Sequence, residues 1–138
     1  MKPLGTTLLV LLPMLATGSA FAAGGIEVTR GPDSVVYGTC VPSLLVENKS
    51  TETIDYLEVD LVLDLADGQR RTVELKSAYR EGVLYPIAPG VRATLRQHLD
   101  TSRAIGVPCA EVKARTVGQT ICEAHGGMKC ASSVSVQP

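Results

Sequence analysis

Between Thr53 and Ala66 the chain alternates with a period of two. Leu57, Val59, Leu61, Leu63 and Leu65 share one parity, and Tyr56, Glu58, Asp60 and Asp64 share the other. A strand sends successive side chains to opposite faces, so this stretch reads as a long strand with one face buried and one in water. A helix would scatter the same five residues around its circumference. Asp67-Gly68 then supplies a turn, and Val73 and Leu75 return against Thr72, Glu74 and Lys76. The result is a long hairpin with an acidic outer face on one strand and Arg70, Arg71 and Lys76 on its mate.

The same period recurs along the chain, and no helix-period stretch of any length interrupts it. Ile26 to Arg30 and Val35 to Tyr37 open the series, and Pro42 to Asn48 carries Leu44 and Val46 inward. Gly82 to Ile87 is short and bounded by prolines. Val91, Ala93 and Leu95 alternate with Arg92, Thr94 and Arg96. Val112 and Ala114 alternate with Glu111, Lys113 and Arg115, and Cys130, Ser132, Val134 and Val136 close on one parity. Asp100 to Ile105 has room for a single helical turn. About eight short strands separated by turn signals predict an all-β domain, an antiparallel β-sandwich.

Residues 1–22 stand apart. Lys2 is followed by an apolar run centred on Leu8 to Leu12, then by Pro13, Gly18 and the small-residue signal Ala20-Phe21-Ala22. That order is a secretory signal peptide with cleavage after Ala22, and the run is too short for a membrane-spanning helix. No later segment is long and apolar enough to span, so the expected product is periplasmic or secreted, with one domain over residues 23–138. Lys2 is the only charge in the leader, which leaves 12 basic against 14 acidic residues in the remainder. That balance gives no basic footprint for nucleic acid. With no Trp, and the single Phe in the leader, the core must be aliphatic.

All four cysteines, Cys40, Cys109, Cys122 and Cys130, follow the leader. An even number in an exported chain predicts two disulfides. Of the three pairings, Cys122–Cys130 is favoured because Gly126-Gly127 between them lets two short strands face each other, and Cys40–Cys109 would then tie the early strands to the late ones. Loop entropy assigns about 2.6 kcal/mol to the short link and about 4.4 kcal/mol to the long one.

Val46-Glu47-Asn48-Lys49-Ser50, the alternating strand, Asp67-Gly68, and Ile87-Ala88-Pro89-Gly90-Val91 follow one another over roughly residues 41–98. Their order resembles that of bacterial extracytoplasmic Ig/fibronectin-III-like domains of the FxLYD type. The size and export are similar to those of small secreted interleukin-receptor-mimic-like proteins. The resemblance implies an Ig/fibronectin-like sandwich, and its motifs are turn chemistry that carries no activity.

Catalytic constellations are not found. His98 and His125 sit in no nucleophile motif, and there is no G-x-S-x-G, H-E-x-x-H or phosphate-cradling glycine loop. His98 with Asp100 sketches a dyad that neighbours on a loop make by chance, so the chain is expected not to be an enzyme. Cys122-x2-His125-x2-Met128 resembles the copper loop of cupredoxins, which implies copper ligation by those three, with His98 as the remaining candidate ligand. The pattern departs from that family at Cys130, which offers Cys122 a disulfide partner, and the hairpin staple is the preferred reading, with no cofactor. Asn48-Lys49-Ser50 has the form of a glycosylation sequon, and a turn-forming Asn explains it equally.

Tyr79-Arg80-Glu81-Gly82-Val83-Leu84-Tyr85-Pro86 holds two of the four tyrosines beside an arginine. Tyr and Arg concentrate binding energy at interfaces, while the bland alternative is tyrosines covering the rim of the core. The expected function is a non-enzymatic binding or adaptor domain for a protein partner, contacting it through Tyr79, Arg80 and Tyr85. The alternative is a copper-binding electron carrier.

Overall fold

The structure, a computed structural model, describes residues 24–77, 79–80, 83–97 and 105–138. Residues 1–23, which include the expected signal peptide, together with His98 and most of the Asp100–Ile105 segment, lie outside the described residues. The strands are β1 (Ile26–Arg30), β2 (Ser34–Val36), β3 (Thr39–Val41), β4 (Ser43–Asn48), β5 (Ile54–Leu65), β6 (Arg70–Lys76), β7 (Tyr79–Arg80), β8 (Val83–Leu84), β9 (Arg92–Arg96), β10 (Val112–Ala124), β11 (Met128–Lys129) and β12 (Val134–Gln137). A 3₁₀ turn at Cys109–Glu111 precedes β10. Among the described residues no helix is long and apolar enough to cross a membrane.

Eight strands form one hydrogen-bonded sheet in the order β11-β10-β5-β6-β9-β4-β1-β12. The sheet is mixed: β12 runs parallel to β1, from Ile26↔Val134 to Thr29↔Gln137, while the other pairs are antiparallel. This corrects the expectation of a uniformly antiparallel fold. Its cause is the short connection after β11, which carries the chain across to the far edge of the sheet instead of turning it back beside β10. The two four-stranded halves meet at a single register pair, Lys76↔Arg96. They curl around one continuous core, in which Leu57, Val59, Leu61 and Leu63 of β5 meet Ile26, Val28, Leu44, Val46 and Leu95 of the other half. Each of these large aliphatic side chains contributes about 1.5–3 kcal/mol when buried, enough to supply a core without aromatics.

β5 has the expected pattern, with its odd-numbered residues from Leu57 to Leu65 inward. Its turn into β6 depends on Gly68 at φ 83°, and Asp67 accepts a hydrogen bond from the Gln69 amide at 2.8 Å. β10 departs from the expected pattern. Val112 pairs with Leu65 and Ala114 with Asp64, so one residue of β10, Lys113, is extra. This bulge reverses the parity, and Arg115 pairs with Leu63 on the core side rather than pointing out with Lys113. A second bulge at Gly118-Gln119, opposite Asp60, reverses it again.

The expected pairing of the sulfurs is the one found: Cys40–Cys109 and Cys122–Cys130, with no free cysteine. The first ties the β2–β3 hairpin to the segment before β10. That hairpin is held a second time by Arg115, whose guanidinium donates to both oxygens of Asp33 at 2.9 and 2.6 Å. Arg30 also donates to Asp33, at 3.0 Å. Of Gly82–Ile87, expected as one strand, Val83–Leu84 is instead the second arm of a two-residue-per-arm hairpin and Ile87 forms an isolated bridge, while Gly82 lies outside the described residues. Pro86 has no backbone N–H to donate to a ladder, which stops the arm from extending to Ile87.

Candidate functional site

The segment holding Tyr79, Arg80 and Tyr85 is an excursion from the sheet. After β6 the Ser77 amide donates to the Leu57 carbonyl at 2.8 Å, and the Ser77 hydroxyl accepts from the Leu57 amide at 3.1 Å. The chain then leaves as the β7–β8 hairpin, with Tyr79 opposite Leu84 and Arg80 opposite Val83. It returns at Ile87, which exchanges two backbone hydrogen bonds with Ile54, at 2.7 and 3.0 Å. Tyr85, on the way back, is half exposed.

The return is fixed by Asn48, which is fully buried. Its side-chain amide donates to the carbonyls of Glu52 at 2.8 Å and Ile87 at 2.9 Å, and its oxygen accepts from the Ser50 amide and hydroxyl. Every polar atom of that carboxamide is thus committed to backbone or to Ser50. The sequon is structural, because a glycan on Asn48 would replace one of its two donating amide hydrogens and would have to fit at a fully buried side chain.

The Cys122–Cys130 loop arrives at the same end from the other side of Ile54. Ala124 is in register with Ile54, and the His125 amide donates to the Thr53 carbonyl at 2.9 Å. The disulfide and a Cys130 amide to Cys122 carbonyl bond at 3.1 Å close the hairpin, whose tip turns through Gly126 and Gly127 at φ 87° and 76°. Asp55 caps that tip, accepting from the Gly126 amide and contacting His125 Nδ1, each at 3.3 Å. Met128 is 71 % exposed and the His125 ring is 83 % exposed. In this disulfide form Cys122 offers no thiolate to a metal. Asp33 with Cys40 and Cys109 also groups a carboxylate and two sulfurs, but those sulfurs are bonded to each other and the carboxylate is paired with Arg115.

The chain between the tip and β12 is held by Glu52. Its carboxylate accepts from the amides of Ala131 at 3.0 Å and Ser132 at 2.7 Å. The Ser132 side chain and these two amides hold the carboxyl below its ordinary range. On the outer face of β5, Tyr56 donates its hydroxyl to Glu58. Burial, then the hydrogen bond and charge of Glu58, push that phenol up to about 12. Asp60 is raised by burial first and then by the charges of Glu58 and Glu74, the latter directly opposite it.

Sequence reading singled out both loops but not their juxtaposition, which depends on pairings to Ile54 from two distant segments. It also placed Tyr37 in a strand with Val35, whereas β2 ends at Val36 and Tyr37 begins a turn. That residue is 96 % exposed at the tip of the β2–β3 hairpin, with φ 50°. The signal was present: Tyr37-Gly38 sits between Val36 and Thr39 as a two-residue turn, a place ordinarily taken by Asn-Gly.

No protein-family model matches the chain, and no curated protein matches it. Among solved structures it is similar to one described as the structural characterization of IrmA from Escherichia coli, with a TM-score of 0.50 and 16 % sequence identity. The match covers 82 % of this chain and 91 % of that one. At this identity the likeness is one of fold, an all-β domain of comparable extent.

Proposed function

We propose that this protein is an exported, non-enzymatic binding domain that engages a protein partner through the end of the molecule centred on Ile54. The observation that carries the reading is the convergence of the β7–β8 hairpin and the β10–β11 tip on that one residue, each braced by hydrogen bonds to β5. Loops on a rigid β-frame are common binding elements, and here they present Tyr85 and Met128 to solvent. Tyr79, Arg80 and Tyr85 are the proposed anchors, since a tyrosine on a short hairpin buries much area for few frozen torsions. In this reading the two halves are the faces of an Ig/fibronectin-like sandwich, and the final segment switches face between β11 and β12.

Export rests on the leader and on the two disulfides, which persist in oxidising compartments such as a periplasm or the exterior. The mature protein then begins at Ala23. Recovering what co-purifies with the tagged, exported protein tests the binding reading. Thiol titration separates it from a copper carrier: a carrier using Cys122, His125 and Met128 needs a free Cys122 and turns intensely blue with Cu(II), whereas the binding domain has no titratable thiol and stays colourless.

A further inference from the structure

The outer face of β5 holds three carboxyl groups around a single ammonium. Asp60 lies directly opposite Glu74 of β6, and Glu58 precedes it on the same face. Like charges directly opposite on neighbouring strands destabilise the pair. Lys76 is the cation of the patch, and its ammonium goes to the two glutamates, at 3.5 Å from Glu58 and 3.0 Å from Glu74. The other charged neighbours are engaged elsewhere. Arg70 donates to Asp64 at 2.8 Å, Tyr56 donates its hydroxyl to Glu58, and Arg96 lies one strand further out, opposite Lys76. On the β10 side the bulge at Gly118-Gln119 stands opposite Asp60 and brings no charge.

That bulge also covers the carboxyl group. A Cβ on Gly118 would stand 3.4 Å from Asp60 Cβ and 3.4 Å from Val62 Cγ2, so the bulge backbone lies against the Asp60 side chain. Asp60 Oδ1 is shielded from solvent and has no hydrogen-bond partner among the described residues. Buried polar atoms are ordinarily paired, and an orphaned one calls for an explanation. An ionised Asp60 is penalised twice here, by lost hydration and by two like charges, whereas a neutral carboxyl escapes both penalties.

We propose that Asp60 is a proton-uptake site that makes the fold more stable on mild acidification. The proton settles on the carboxyl of the patch that lacks a cation, and Glu74 directly opposite is the acceptor for it. Burial first, then the charges of Glu58 and Glu74, raise this group above 3.8 against the opposing charge of Lys76. A folded value above the unfolded one means that the penalty is in full force above the folded value. It is relieved as pH falls through that value towards 3.8. The sign is opposite to that of Asp33, whose folded value is lowered. Acid therefore first relaxes the β5–β6 face and only at lower pH breaks the Arg115–Asp33 bridge. The device is independent of the proposed binding end, because it needs no partner.

The test is a carbon-detected NMR titration of the side-chain carboxyls in the disulfide-intact protein, with thermal melts at neutral and mildly acidic pH. Asp60 should titrate with a midpoint above 3.8, and Glu74→Gln should lower that midpoint. Asp60→Asn, which removes the charge and keeps the shape, should melt above the wild type at neutral pH, with the difference shrinking as pH falls. Asp64→Asn on the same face loses its pairing with Arg70 and should show no such gain. If Asp60→Asn folds poorly, the wild-type titration alone decides. An Asp60 midpoint at or below 3.8 would overturn the proposal, as would a folded Asp60→Asn that melts no higher than the wild type at neutral pH.

Discussion

Arg115 reaches Asp33 from the core side of β10, joining a long strand of the sheet to the loop before β2 through two hydrogen bonds of 2.9 and 2.6 Å. The pair closes the open end of the core where β5 and β10 run out, and Asp33 is itself largely covered. Removing one member leaves the other charge buried and unpaired, which costs more than the pair contributes net.

Arg115→Met should therefore destabilise the protein by about 2–4 kcal/mol in urea denaturation, and Asp33→Asn by somewhat less because Arg115 keeps one acceptor. Burial pushes the Asp33 carboxyl up, but the hydrogen bond and charge of Arg115, followed by those of Arg30, more than offset it and the group is lowered from 3.8. A lowered folded value means that stability from the pair is complete above the unfolded value and is lost as pH falls through the folded one. The wild type should lose this increment below about pH 4, and Asp33→Asn should lack that component of the acid transition.

Tyr37 holds a left-handed backbone that Asn tolerates much better than an aromatic residue, and its ring packs on nothing that would repay the strain. Tyr37→Asn should raise stability by about 0.5–1 kcal/mol, read as an upward shift of the thermal midpoint. An unchanged or lower midpoint would mean that the ring contributes to folding.

The two disulfides should differ in worth. Replacing Cys40 and Cys109 together by Ser removes a constraint on 69 residues of chain, and replacing Cys122 and Cys130 removes one on 8. Loop entropy puts the losses near about 4.4 and 2.6 kcal/mol. Equal midpoints in guanidinium would show that the short link also supports β12.

Glu52 governs the crossing from β11 to β12. Glu52→Ala leaves the Ala131 and Ser132 amides without their acceptor, so hydrogen exchange at those two positions should speed up while the Leu61 amide in the core is unaffected. Uniform acceleration across the sheet would instead indicate global destabilisation.

What was legible in the sequence was whatever has a short period. The alternation of β5 gave its faces residue by residue, and the Gly126-Gly127 tip gave the short disulfide. What was not legible came from single-residue insertions and distant pairings. The bulge at Lys113 leaves no mark in composition, yet it moved Arg115 from a solvent face to the core side and so created the Asp33 bridge. β10 runs unbroken for 13 residues, but Gly118-Gln119 in its middle interrupts the alternation that would have announced it. The parallel pairing of β12 with β1 joins segments a whole chain apart, and no local pattern encodes such a partner. For the same reason the two loops at Ile54 could be named separately but not placed together.

The most direct test of the binding account is the affinity of the co-purified partner for folded Tyr79→Ala, Arg80→Ala and Tyr85→Ala variants, measured beside Arg71→Ala on the charged hairpin. The account predicts a loss of at least about 1–2 kcal/mol, roughly tenfold in Kd, at one or more of the three, with Arg71→Ala nearly neutral. Normal binding by all three folded variants, with affinity lost in Arg71→Ala instead, would contradict it and move the interface away from Ile54.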